Sequence, residues 1–252
     1  MDLNFRQTFA SGVQWETAAT AFGGNDTMGA LLAWRGWSHG RQRSVFGETL
    51  PLPRLQGLNG GNFEDQQDGG TTPFTHDLDH RLGFAFHTSL TLPKKGVVKV
   101  TVVDNNGDRR LHSGQYAWKT KFAQVGAQWN FTEHFLILGE YMVGSSQMRQ
   151  NFEVDIEVKS AYLLASYLAN DWRYSVRYDN FSVHDRDSAP DDFNSDHGDS
   201  YTFALFYQPE KAWRVGAELL HINSRRNRLL AVGKLDNDDE NQVSILVSYL
   251  FK

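Results

Sequence analysis

Strict alternation of apolar and polar residues is the sequence feature that most constrains this fold. Residues 171–178 illustrate it with Trp172, Tyr174, Val176 and Tyr178 on one parity and Arg173, Ser175 and Arg177 on the other. In an extended strand, successive side chains point to opposite faces of the sheet. The segment therefore predicts a strand with one aromatic face and one charged face, which can cover either a protein core or a lipid-facing wall.

The same pattern recurs along the chain and predicts twelve strands. They are expected at 3–9, 13–19, 28–37, 82–90, around Val98–Val102, and at 116–129, 134–144, 152–167, 172–184, 199–207, 212–224 and 242–251. Most of the later segments are ten residues or longer, whereas strands of soluble sheets commonly have about 5–6 residues. The length matches the roughly 9–11 residues with which a strand crosses a bilayer. We therefore predict an all-β, antiparallel, up-and-down transmembrane β-barrel of about 12 strands.

Composition restricts the alternatives. The 252 residues are 40% apolar and contain no long apolar run, which excludes helical membrane spans but not a barrel. The formal charge is −5 and the basic residues are scattered, so a nucleic-acid interface is not expected. Cysteine is absent, which removes thiolate catalysis and cysteine-based metal sites.

The predicted connections alternate in length. Short turns at 93–96, 130–133, 168–171 and 208–211 alternate with polar loops at 38–80, 105–115, 145–151, 185–198 and 225–241. Short turns at one end and long loops at the other are typical of outer-membrane barrels. We predict one barrel domain over 1–252, with a long loop at 38–80, in the bacterial outer membrane of a Gram-negative cell.

Aromatic residues gather beside the short turns. An interfacial aromatic girdle is predicted from Trp129, Phe131, Trp172, Tyr207, Trp213, Tyr249 and Phe251. The opposite parity predicts tentative pore-lining residues, namely Glu16, Arg35, Lys99, Glu140, Arg173, Arg177, Asp179, Arg214 and Glu218. These charges either set ion selectivity in an open lumen or form neutral pairs that fill a narrow one. We further expect Arg173, Arg177 and Arg214 to cluster and to give a modest anion preference.

Other chemistry has weaker support. The acidic segment 192–198 lacks the glycine and glutamate positions of an EF-hand, so a looser calcium loop with Asp185, Asp187 or Asp199 competes with a solvated loop. The acidic segment 236–240 has the same two interpretations. His221 with a nearby serine suggests a hydrolase site, although no Gly-x-Ser-x-Gly motif is present. We predict no enzyme activity, no cofactor and no metal site.

Several motifs carry a resemblance to a known family. Tyr249-Leu250-Phe251 resembles the aromatic terminal signature of bacterial outer-membrane proteins, although Lys252 follows it. Together with residues 21–26 leading into 31–37, residues 114–118 and residues 176–181, it makes the chain similar to the C-terminal portion of a proteobacterial family of porin-like outer-membrane β-barrels, distantly similar to phosphate-selective porins. The resemblance implies a barrel with further N-terminal strands.

Two function classes compete with the leading hypothesis. The leading one is a porin-like channel for passive diffusion of small hydrophilic solutes or ions, with outer-membrane lipid and lipopolysaccharide as surroundings. The first alternative is a soluble β-sandwich that binds carbohydrate through Trp15, Trp34, Trp37 or Trp118, and the second is an outer-membrane hydrolase.

Overall fold

The computed structural model describes most of the sheet and part of the loops. The described residues are 1–35, 50–51, 57, 63–64, 70–71, 77–150, 154–189, 193–210, 212–227, 233 and 235–249. Most of the loop predicted at 38–80, together with Trp37 and Phe251, lies outside them. No helix among these residues is long and apolar enough to cross a membrane.

One antiparallel sheet of eleven strands dominates the molecule. Its strands are β1 (Asp2–Thr8), β2 (Gln14–Phe22), β3 (Gly83–Leu92), β4 (Gly96–Asp104), β5 (Lys119–Asn130), β6 (Phe135–Met148), β7 (Val154–Ala169), β8 (Trp172–Asp185), β9 (Asp196–Glu210), β10 (Trp213–Arg226) and β11 (Asn237–Tyr249). Each strand pairs with its neighbours in this order, which confirms the predicted all-β, up-and-down architecture. Two-residue ladders also join Leu50–Pro51 to Gly70–Thr71 and Leu111–His112 to Gln115–Tyr116.

The strand predicted at 28–37 is wrong, and this accounts for eleven strands instead of twelve. Met28–Ala30 form one α-helical turn, and Leu31–Arg35 continue it as a π-helical turn. The run is almost uniformly apolar, and such a run does not distinguish a buried helix from a buried strand. We call Met28–Arg35 the helical segment.

The sheet has two chemically different faces. The inner face is the one on which the helical segment packs, against buried Val154, Ile156 and Val158 of β7. The outer face carries the other parity, in which Tyr178 lies opposite Leu163 and Tyr201 in the neighbouring strands. The alternation of the sequence thus separates the two faces as predicted.

The connections also alternate as predicted. At one end, the short-turn end, the strands are joined through residues 9–13, 93–95, 131–134, 170–171 and 211–212; at the other, the long-loop end, through 23–82, 105–118, 149–153, 186–195 and 227–236. Only the long-loop end has connections that are long enough to fold back over the sheet.

The outer face is apolar over a limited height. It changes from aromatic to charged or polar between Trp129 and Lys121 in β5, and between Trp172 and Asn180 in β8. Eight residues at ~3.4 Å each, on strands tilted by ~40° from the barrel axis, span about 21 Å along that axis. This apolar band is close to the ~25 Å band of membrane barrels.

The paired rows indicate that the strands tilt. One row across the sheet passes from Val100 in the middle of β4 through Tyr141 to Asn180 and Asn223. Its members are apolar in β4 to β6 and polar in β8 to β10. The row therefore leaves the apolar band toward the long-loop end, as expected when the strands tilt.

Neighbouring strands alternate in direction, so β1 and β11 run the same way. Antiparallel closure of the sheet between these two strands takes an odd number of additional strands.

Candidate functional site: the polar inner face

A row of paired residues, which we call the central rung, crosses the middle of the inner face. Its members are Arg6, Glu16, Ser89, Lys99, Gly126, Glu140, Tyr162, Asp179, Ser200, Ile222 and Glu240. It carries two positive side chains, Arg6 and Lys99, and four negative ones, namely Glu16, Glu140, Asp179 and Glu240. Because charges of both signs lie along one row, the rung presents a mixed electrostatic surface to whatever occupies the inner side.

Two carboxylates of the central rung are paired with nearby arginines. Arg6 donates to Glu16 at 3.0 Å. The Arg177 guanidinium donates from Nε to both carboxylate oxygens of Asp179 at 2.9 and 3.0 Å. Asp179 is only 4% exposed, and Ser200 adds a longer contact of 3.4 Å. These pairs fit the interpretation in which opposite charges cancel.

Other charges remain without such partners. Among the described residues, Lys99, Glu140 and Glu218 have no oppositely charged side chain within 4.0 Å. Lys99 and Glu140 flank Gly126, whose missing side chain leaves room between them. The inner face therefore combines neutral pairs with accessible charges, and neither of the two sequence-based interpretations covers all of it.

The predicted arginine cluster is only partly formed. Arg177 is engaged by Asp179, whereas Arg173 donates to Ser166 at 3.2 Å and Arg214 lies 5.1 Å from the Phe206 ring centroid. Neither Arg173 nor Arg214 has a carboxylate within 4.0 Å among the described residues. Arg177 differs from the other two because Asp179 lies two residues away on the same face of its strand. The expected joint effect of the three arginines on anion preference stays a prediction.

Phe206 lies between these two arginines in the sheet. Arg173 is paired with Phe206 across β8 and β9, and Phe206 is paired with Gly216 of β10. A side chain at Gly216 would collide with the Phe206 ring at 2.2 Å. The glycine thus lets the ring lie over β10, where its face meets Arg214.

Two pockets open on the inner face. The larger, about 320 Å³, lies beside Ser175, Arg177, Asp179, Thr202 and Glu218. The smaller, about 120 Å³, lies beside Lys99, Gln128, Glu140 and Tyr162. Both pockets combine hydroxyl, amide and charged groups with apolar side chains, such as Leu164 and Phe206 in the larger one and Leu138 in the smaller one. The polar groups give a hydrated solute partners for hydrogen bonds.

The helical segment fills the inner side at the long-loop end. Trp34 is 1% exposed and packs edge to face against Trp118 with ring centroids 5.1 Å apart. Phe63, Met148 and Ile156 belong to the same buried cluster. The inner face is therefore apolar and covered at this end, and polar and open toward the short turns.

A buried carboxylate lies next to the start of the helical segment. Asp26 is 1% exposed and accepts the Leu78 N–H at 2.6 Å. Burial raises the pKa of this carboxyl above 3.8, the neighbouring Asp79 and Asp77 carboxylates raise it further, and backbone hydrogen bonds oppose the rise. One oxygen from each of the three acids lies within 4.8 Å of the others, which is a spacing that hard cations use.

The structure gives a position to eight of the nine predicted pore-lining residues. Glu16, Lys99, Glu140, Arg173, Arg177, Asp179, Arg214 and Glu218 all lie on the inner face. Arg35 ends the helical segment, and its side chain lies outside the described part. Participation of these residues in conduction stays a prediction.

The predicted girdle residues lie beside the short turns. Trp129, Trp172 and Trp213 are 39–46% exposed, as expected for side chains on an uncovered surface. Trp172 packs on Tyr207 and Trp213 on Tyr249, each with centroids 4.6 Å apart. Phe131 is exposed in the turn after β5, and Phe251 lies outside the described residues.

The structure bears on parts of the two alternative hypotheses. Trp34 and Trp118 are buried, so they offer no carbohydrate platform, whereas Trp15 is exposed and Trp37 lies outside the described residues. No second sheet covers the outer face among the described residues. His221 is on the outer face, 3.0 Å from Asn241, whereas Ser224 lies on the inner face. These two residues therefore do not form the pair that the hydrolase hypothesis requires.

Among the described residues, Asp185, Asp187 and Asp199 do not form a cluster at metal-ligand spacing, so the interpretation as a looser calcium loop gains no support over a solvated loop. Asp187 instead receives the N–H groups of Asp155 and Ala189 at 2.6 and 2.8 Å. Asp199 lies on the outer face opposite Asn180 and Asn223. Asp185 accepts the Asp187 N–H at 3.1 Å, so Asp185 and Asp187 both serve as acceptors for the backbone.

Sequence reasoning missed several inner-face residues. Tyr162 stacks under Arg177, and Phe206 supports Arg214, yet neither is charged. Their positions were available from parity alone, since each lies an even number of residues from an inward position on its strand. Asp26 was missed because its burial depends on the loop that covers it.

Comparison with known proteins gives a fold likeness. No family model and no curated protein matches the sequence. Among solved structures, the chain is similar to the outer membrane channel DcaP of Acinetobacter baumannii, with a TM-score of 0.59 and 10% sequence identity. The match covers 99% of this chain and 62% of that channel, so the chain spans less than two thirds of the length of the protein that it resembles.

Proposed function

We propose that this chain forms wall strands of a porin-like channel in the bacterial outer membrane, through which small hydrophilic solutes or ions diffuse passively. The outer face would contact lipid, and the inner face would line the aqueous path. The fold likeness to an outer membrane channel supports the general class.

The observation that carries the proposal is the opposite chemistry of adjacent residues within the apolar band, where apolar side chains face outward and charged ones face inward. In β8, Val176 is 51% exposed on the outer face, whereas Arg177 pairs with Asp179 on the inner face. A soluble protein seldom exposes an apolar face that extends over eleven strands. A bilayer makes that face favourable, and the charges then have to face water.

The helical segment gives the path an unequal cross-section. It occupies the inner side near the long loops, whereas Arg173 and Arg214 at the short-turn end are exposed. We therefore expect the long-loop end to limit the size of the solute. The accessible charges near the central rung and the short turns would bias permeation by charge.

Conductance measurement tests the proposal. The full chain, purified in detergent, is reconstituted in planar bilayers, and we expect discrete current steps that increase linearly with voltage. As a matched control, heat-unfolded protein from the same preparation is added at the same concentration. Absence of steps from the folded sample, together with a monomer that stays in solution without detergent, would contradict the proposal.

A further inference from the structure

A groove on the outer face lies at the upper limit of the apolar band. It has a volume of about 420 Å³ and is lined by Val102, Ala123, Val143, Lys121 and Arg186, with Asp104, Ser145, Gln147 and Glu157 at its margins. The valines and alanine belong to the outer parity of β4, β5 and β6. The groove is thus open to the surroundings of the sheet and not to its inner side.

The groove has an apolar lower part and a basic upper part. Ala123 is small, so it forms a recess between Val102 and Val143, with which it is paired on either side. Lys121 lies two residues nearer the long loops on the same face. Among the described residues, no carboxylate lies within 4.0 Å of its ammonium group.

Two further cations lie nearby but are already paired. Arg186 donates to Asp155 at 3.0 Å and lies 3.8 Å from Glu157, and Lys159 pairs with Glu157. Asp104, opposite Lys121, accepts the Asn106 N–H at 2.7 Å. Of the described cations at this groove, Lys121 is therefore the one without a carboxylate within 4.0 Å.

The height of Lys121 matches that of a lipid head group. Lys121 and the girdle residue Trp129 are separated by about 21 Å along the normal, so the ammonium reaches the boundary of the apolar band. A second outer groove of about 410 Å³, beside Val176, Phe203, Leu219 and Val243, lies within the band and has no lysine or arginine facing outward among its lining residues. Only the first of these two grooves combines an apolar recess with a cation.

We propose that this groove binds the phosphorylated head of lipopolysaccharide, with Lys121 on a phosphate and an acyl chain along Ala123. The inference rests on the proposed membrane location. Long loops of outer-membrane barrels face the cell exterior, which places the groove in the leaflet that lipopolysaccharide occupies. A phosphate group and its attached acyl chain complement the ammonium and the recess below it.

Lipid-induced stabilisation tests this site. The full chain in detergent is titrated with purified lipid A, or with phosphatidylglycerol, while its thermal unfolding midpoint is followed. We expect lipid A to raise the midpoint more than phosphatidylglycerol does. Lys121→Gln should weaken the apparent lipid A affinity about tenfold, the size of one lost charge-assisted hydrogen bond.

Two further variants separate the recess from general effects. Ala123→Phe should also weaken lipid A binding, whereas Ala127→Phe, on the same face four residues nearer the short turns, should not. Equal responses to both lipids, or unchanged lipid A affinity in Lys121→Gln, would overturn the site. Planar-bilayer recordings on the same preparations separate failure of the lipid site from failure of the channel proposal. A protein that conducts but does not prefer lipid A contradicts only the proposed lipid site.

Discussion

The guanidinium of Arg177 lies 4.1 Å from the centroid of the Tyr162 ring, across the ladder between β7 and β8. The same guanidinium pairs with Asp179, so it is held from two sides. An arginine fixed in this way stabilises the sheet, and its replacement should affect stability before it affects permeation.

Replacement of Arg177 by glutamine leaves Asp179 without its partner in a position that is only 4% exposed. We expect Arg177→Gln to lower the free energy of unfolding by about 1–3 kcal/mol, the penalty for an unsatisfied buried polar group. Arg173→Gln is the matched control in the same strand and should change stability by less than about 0.5 kcal/mol. Urea unfolding in detergent measures both, and equal losses would contradict the assignment.

Arg173 and Arg214 should contribute most to charge selection, because no carboxylate neutralises either within the described structure. In a salt gradient across a planar bilayer, the double variant Arg173→Gln, Arg214→Gln should move the reversal potential toward the equilibrium potential of the cation. Glu218→Gln should move it in the opposite direction. An unchanged reversal potential in the double variant would remove these arginines from the conducting path.

Gly29 tests whether the helical segment narrows the path. A side chain there would meet Ser146 Oγ at 2.3 Å and the Trp118 ring at 2.5 Å, so Gly29→Val should cost about 1–3 kcal/mol of packing. We expect the displaced segment to increase single-channel conductance. Gly139→Ala, on the outer face of β6, is the control, since the nearest atom to its new methyl group is 3.4 Å away. Unaltered conductance in Gly29→Val, with displacement demonstrated by proteolysis, would contradict a constriction here.

The raised pKa of Asp26 predicts pH dependence at the long-loop end. The folded protein binds the proton more tightly than the unfolded chain, so the stability from protonated Asp26 is complete below about pH 3.8 and is lost as the pH rises through the raised pKa. Asp26→Asn keeps an oxygen acceptor for the Leu78 N–H but removes the charge. We expect a higher thermal midpoint than the parent at neutral pH, and a smaller difference near pH 4. Asp171→Asn, in a short turn, serves as control, and a lower midpoint for Asp26→Asn at neutral pH would refute the prediction.

The alternating strands were predictable because the pleat itself is local. Whether a residue such as Ser175 or Val176 faces inward depends only on its parity, and one buried or lipid-facing side suffices to fix the register. The ends of the strands differ from the predictions by a few residues, since hydrogen bonding extends beyond the apolar pattern. β6, for example, runs to Met148 because its last residues pair with β7.

The helical segment and the ion pairs were beyond local reasoning. Residues 28–35 carry no alternation, and their helix is stabilised by the inner face of distant strands, through contacts such as Trp34 with Trp118. Parity placed Arg177 and Asp179 on one face, but it did not reveal that they pair while Arg173 and Arg214 do not. Rotamers and neighbouring side chains decide such pairing, and they are properties of the folded sheet.

The central claim is that adjacent residues of one strand face water and lipid, and cysteine accessibility tests it most directly. The sequence contains no cysteine, so Lys99→Cys on the inner face and Val100→Cys on the outer face each introduce one thiol. In proteoliposomes treated with a membrane-impermeant sulfonate thiol reagent, Lys99→Cys should react rapidly and change the conductance, whereas Val100→Cys should be protected. Equal labelling at both positions, or labelling of Val100→Cys alone, would contradict the account.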